Sequence, residues 1–163
     1  MKNLFCAISL VAAMTTVALY ADGPQKLTRP TSMSVSIGGF GGPSYRVTLR
    51  PDGRIDYVTM SGGFTSPKTE TITIPEDRWR QFRAALDTAG IWKWKPAYPN
   101  PQVKDGTQWK IDIAFQNTTL KSEGSNSYPS ESGDPIKSTK MTKPFLGYLE
   151  AVQQLLGDKR QFR

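Results

Sequence analysis

The hydrophobic period changes once, sharply, between residues 75 and 115. That change limits the chain to a fold in which helix and sheet share one core. Trp79, Phe82, Leu86 and Ala89 recur at helical spacing. Pro75 stands where a helix begins, because a proline at the first helical position lacks only an N–H that would have gone unpaired. Glu76 and Asp77 suit the positive end of the helix dipole, and Gly90 is placed to end the helix in a left-handed cap. Trp109, Ile111, Ile113 and Phe115 then alternate with polar residues, the pattern of a strand with one buried face. Residues 91–112, IWKWKPAYPNPQVKDGTQWKID, join the two periods and hold three of the four tryptophans. Trp92 and Trp94 alternate with Lys93 and Lys95, so an extended segment would set both indoles on one side. Exposed, they would form a stacking platform for sugars or bases. Buried, they would wedge the helix onto the sheet, and the area a tryptophan removes from water favours burial. Pro96, Pro99 and Pro101 keep Tyr98 in an extended loop.

The other segments read as strands, turns and one more helix. Met33, Val35 and Ile37 alternate with serines. The following Gly38-Gly39-Phe40-Gly41-Gly42-Pro43 lacks the Gly-Lys-Ser/Thr and the helix of a phosphate loop, so it reads as a turn. Residues 45–57 form a β-hairpin about Pro51-Asp52-Gly53, with Arg46, Arg50, Arg54 and Asp56 on its outer face. Ser61-Gly62-Gly63-Phe64 is a second glycine loop, and residues 69–74 are a further strand. Gln116-Asn117 turns the chain into a return strand over residues 119–123, with Lys110 and Asp112 pointing outward as a pair. Residues 130–141 are polar and are expected to be flexible. A last helix starts near Pro144, carries Phe145, Leu149, Val152 and Leu156 on one stripe, and stops at Gly157. The expected fold is α+β, an antiparallel sheet of about five strands with two helices packed on one face.

Residues 1–21 read as an export signal. Lys2 precedes an apolar run over residues 4–17, and Ala18-Leu19-Tyr20-Ala21 supplies small residues for cleavage. The run is short for a membrane span, so no transmembrane segment is expected after its removal. Residues 22–32 read as a flexible arm, residues 33–157 as one domain, and residues 158–163 as a frayed basic tail. The only cysteine, Cys6, lies inside the signal. The exported chain therefore has no disulfide and must rely on its core. The chain is long enough for that, since near 150 residues roughly 70% of the surface is buried. Histidine is absent. Without histidine or an available thiol, zinc, copper and haem sites and Cys/His catalysis are disfavoured, and no metal or cofactor is expected. The net charge of +7 comes with no long basic run, which argues for solubility rather than nucleic-acid binding.

Ile91-Trp92-x-Trp94-Lys95, Tyr98, Asp105-Gly106-Thr107-x-Trp109 and Gly124-Ser125-Asn126-x-Tyr128-Pro129 stand in fixed order along the chain. This combination resembles a group of small, mostly exported, functionally uncharacterised bacterial α+β domains, over roughly residues 45–156. The resemblance implies the fold and export to periplasm or medium, and no activity or cofactor. Residues 130–141 look like an insertion relative to that group. The expected function is a non-catalytic binding module of the cell envelope, for a glycan, an anionic polymer or a protein. Its candidate binding residues are Trp92, Trp94, Tyr98, Asp105, Ser125, Asn126 and Tyr128. Two alternatives stay open: an inhibitor or immunity protein for a secreted enzyme, and a small hydrolase drawing paired carboxylates from Asp105, Asp112, Glu123 and Asp134.

Overall fold

The computed structural model describes residues 28–62, 66–103 and 105–163. The export signal expected over residues 1–21 lies outside the described residues. Strands β1 (Ser32–Gly39), β2 (Ser44–Leu49), β3 (Ile55–Met60) and β4 (Lys68–Ile72) precede helix α1 (Glu76–Ala89). A short strand β5 (Ala97–Tyr98) leads to β6 (Thr107–Phe115), β7 (Thr118–Ser125), β8 (Ser127–Pro129), β9 (Pro135–Lys137) and helix α2 (Lys143–Leu156). Seven strands form one sheet in the order β4-β3-β2-β1-β6-β7-β5, and β8 and β9 form a separate hairpin. The α+β class is as expected, but the sheet is larger than five strands and is not wholly antiparallel. β5 pairs parallel to β7, Ala97 with Glu123 and Tyr98 with Gly124. Two residues between prolines are too short to show a strand period in sequence, which is why β5 reads as loop.

Alternation buries one face of every long strand. Met33, Val35 and Ile37 of β1, Tyr45 and Val47 of β2, and Trp109, Ile111, Ile113 and Phe115 of β6 all face the core. Both helices cover this face. The Phe145 ring of α2 lies 4.9 Å from that of Trp109, and Arg83 of α1 sits 4.5 Å over Phe115. α1 buries Trp79, Phe82 and Leu86, and Gly90 ends it with φ 65° as expected. Pro75 is the N-cap rather than the first helical residue, with extended backbone and its carbonyl accepting from Trp79 N–H. The β2–β3 turn also follows the sequence: Gly53 takes φ 80°, and Asp52 accepts the Arg54 N–H at 3.0 Å.

The chain ends depart from expectation. From Thr28 onward the arm is pinned to α1, with the Thr28 hydroxyl 2.8 Å and Arg29 3.1 Å from the Glu76 carboxylate. The tail does not fray. Phe162 is fully buried near Tyr45, and the Tyr57 hydroxyl donates to the Gln161 carbonyl at 2.6 Å. Residues 130–141, expected to be flexible, contain β9 and the turn that pairs it with β8.

Candidate functional site

The aromatic residues of the central segment belong to the core. Trp94 is 5% exposed and packs on Trp109, Phe145 and Tyr148 at ring distances of 6.2, 6.0 and 5.8 Å. Tyr98 is fully buried. Its hydroxyl donates to the Gly133 carbonyl at 2.6 Å and accepts the Lys95 N–H at 2.7 Å. Tyr128 is fully buried against Phe145. The expected side-by-side indoles do not form, because Ile91–Lys93 is a 3₁₀ turn that sends Trp92 and Trp94 to different neighbours. Trp92 is half-buried, edge-on to Phe115, under the Arg83 guanidinium at 4.8 Å, and it donates to Asp87 at 2.6 Å. The tryptophans therefore offer no stacking platform.

Asp105-Gly106-Thr107 and Gly124-Ser125-Asn126 form a clasp between the start of β6 and the end of β7. Asn126, in the left-handed region at φ 43°, accepts the Thr107 N–H at 3.1 Å through its side chain. Its backbone N–H returns a bond to the Thr107 carbonyl at 3.0 Å. A β-carbon at Gly106 would stand 2.3 Å from the Asn126 amide, and one at Gly124 would stand 2.5 Å from the Trp109 ring. Trp109 donates to the Ser127 carbonyl at 3.1 Å. The spacing of glycines, asparagine and tryptophan is thus a packing pattern, and Asn126 is a structural residue.

The opposite face of the sheet is open, and one end of it is hollow. The cleft there has a volume of about 780 Å³. Ser36, Gly38, Arg46, Gln108, Lys110 and Ser125 line its floor and sides. Asp105 and the buried Tyr98 are also among its lining residues, so three of the seven candidate residues border the cleft and four do not. Register explains the hollow. Ser36 of β1 stands between Arg46 of β2 and Lys110 of β6, and Lys110 is opposite Glu123. Gly38 has no room for a side chain, since a β-carbon would meet the Ser44 hydroxyl at 2.1 Å. Small residues on the middle strand, between long ones, make a trough. Phe40, 84% exposed, rises at its lip from the β1–β2 loop. Sequence reasoning missed most of these residues. The alternation of Ser34 and Ser36 was visible, but Gly38 read as part of the following turn rather than of β1, and nothing showed that β1 lies mid-sheet between β2 and β6.

Most charges on the open face are neutralised in place. Arg50 binds Asp56 at 3.0 Å, Lys110 binds Glu123 at 3.3 Å, and Lys121 binds Asp112 at 3.3 Å. The expected Lys110–Asp112 pair does not form, because each finds its partner across the strand pair instead. The Arg46 guanidinium makes no hydrogen bond or ion pair with any described residue. Of the four carboxylates weighed for hydrolysis, Asp112 and Glu123 are the lysine partners just named, and Asp134 binds Lys95 at 2.7 Å. That hydrogen bond holds the Asp134 carboxyl below its ordinary value. Asp105 lies alone at the cleft mouth. Among the described residues no group of three or more histidine, cysteine or acidic side chains is arranged to hold a metal. No helix of the described residues is long and apolar enough to cross a membrane. Comparison with models of known protein families and with characterised proteins finds no match.

Proposed function

We propose that the chain is an exported, non-catalytic binding module of the cell envelope whose ligand lies in the open-face cleft. One observation carries this reading: the only unpaired guanidinium on the described open face stands in a hollow of about 780 Å³ floored by hydroxyl, amide and glycine groups. A concave surface with a few convergent polar groups is where a ligand is held. The leader pattern of residues 1–21 and the resemblance to small exported domains support placement outside the cytoplasm. Three of the four carboxylates open to hydrolytic use are each committed to a lysine, which favours binding over turnover.

Calorimetry on the protein from Asp22 onward, which contains every described residue, tests this. The panel is peptidoglycan fragments, acidic polysaccharide and lipopolysaccharide. Saturable binding without change in the ligand, blocked by Ser36→Tyr, is expected. Cleavage of any of these ligands contradicts the reading in favour of the hydrolase. Stoichiometric capture of a secreted enzyme, with no glycan bound, contradicts it in favour of the inhibitor.

A further inference from the structure

The geometry points to a uronic-acid polysaccharide as the class of ligand in the cleft, with Arg46 binding one of its carboxylates. This rests on the cleft being the binding surface.

Arg46 is exposed and points from the middle of the open face. Its cross-strand neighbours are Ser36 and Val58, so no carboxylate stands beside it on either strand. Every other arginine and lysine named above on this face already has an acidic partner. A guanidinium offers a planar fork of donors that matches a carboxylate, and a ligand carboxylate is the partner Arg46 lacks. Around it the floor is hydroxyl and amide: Ser36, Ser44, Gln108 and Ser125. Gln108 and Ser125 face each other across β6 and β7, about 5 Å apart, Gly38 stands between Ser44 and Gln108, and Ser36 lies one step along β1, so the four are scattered partners for sugar hydroxyls. Phe40 at the lip presents a free ring to the C–H face of a sugar.

The alternatives fit less well. A polyphosphate chain needs a run of free cations, whereas here Glu123 and Asp105 line the same cleft. A peptide adding to a sheet needs an open strand edge for its backbone, and this floor is a sheet face with β1 paired on both sides. A single free guanidinium among hydroxyl and amide groups fits one uronate unit, a lone carboxylate flanked by sugar hydroxyls.

Trigalacturonic acid and its fully methyl-esterified form separate charge from sugar. Both are titrated into the protein from Asp22 onward and into Arg46→Ala, Arg46→Lys and Ser36→Tyr, with thermal melts confirming that each variant folds. The acid is expected to bind, with affinity falling at high salt. Arg46→Ala should weaken it about tenfold or more, the scale of a lost charge-assisted bond. Arg46→Lys should fall between, because a lysine keeps the charge without the fork. The ester should bind no better than the acid binds Arg46→Ala. If the ester binds as tightly as the acid, or Arg46→Ala changes nothing while Ser36→Tyr blocks both, the uronate assignment is overturned and the cleft survives as a binding surface. Acid binding unaffected by Ser36→Tyr overturns the assignment and the cleft together. If neither trisaccharide binds while another envelope ligand does, in a manner blocked by Ser36→Tyr, only the assignment fails.

Discussion

Gly124 lacks a side chain because Trp109 fills the space one would occupy. A β-carbon there would meet the ring at 2.5 Å, and the indole is fixed by its bond to Ser127 and by Phe145 above it. Gly124→Ala should therefore destabilise by about 1–3 kcal/mol, the range for overpacking a filled site. Urea unfolding would show the midpoint lowered with the slope unchanged. Trp94→Ala should cost about 3–5 kcal/mol, because three large rings lose a shared neighbour. The pattern of these residues was visible in sequence, and its specificity is real. Its meaning was not, because Gly124 and Trp109 lie in different strands and their contact depends on register.

Elements with a clear period were legible, and elements held by single contacts were not. α1, α2, the hairpin at Asp52 and the long strands all announce themselves by spacing and turn chemistry. β5 does not, since two residues next to Pro96 and Pro99 owe their place to the Glu123 N–H bonding the Pro96 carbonyl. The C-terminal tail was likewise illegible. Six residues after a helix-ending glycine look free to fray, yet Phe162 is buried against the sheet and Arg160 pairs with Glu70 of β4. The tail is thus a strap across β2, β3 and β4. Phe162→Ala should lower stability by about 3–5 kcal/mol, as a buried aromatic would. Arg160→Ala should cost far less, since its ion pair with Glu70 is partly exposed. A thermal melt of each variant checks the contrast. Equal, negligible effects would mean that the tail is not docked.

The sequence has no histidine and the described residues include no cysteine, so no described side chain of ordinary pKa titrates near neutral pH. Melting temperature should be flat from about pH 5.5 to 9. Below that range, depressed carboxyls come into play. Arg54 holds the Asp52 carboxyl down to about 2, first through its side chain and then through its backbone N–H. Thr71 and Arg50 lower Asp56, and Arg160 lowers Glu70. A depressed value favours the folded state above the unfolded value near 4, so stability should fall as pH drops from there toward 2. At the alkaline end, burial raises Tyr57, Tyr98 and Tyr148 above their ordinary 10.0. Their contribution is complete below that value and is lost as pH rises through the higher folded values. The absence of histidine made only the flat middle of this profile readable without a structure; the acid and alkaline arms depend on contacts and burial. The cleft was not readable, because it exists only once β1 is flanked by β2 and β6.

The claim that the open face binds while the tryptophans build the core is tested most directly by amide and indole shift mapping. ¹⁵N-labelled protein from Asp22 onward would be titrated with trigalacturonic acid. Saturable shifts should cluster at Ser36, Gly38, Arg46, Gln108, Lys110 and Ser125, with the indole signals of Trp79, Trp94 and Trp109 nearly still. Shifts centred on the indoles, or on the residues of α1 and α2, would contradict the account.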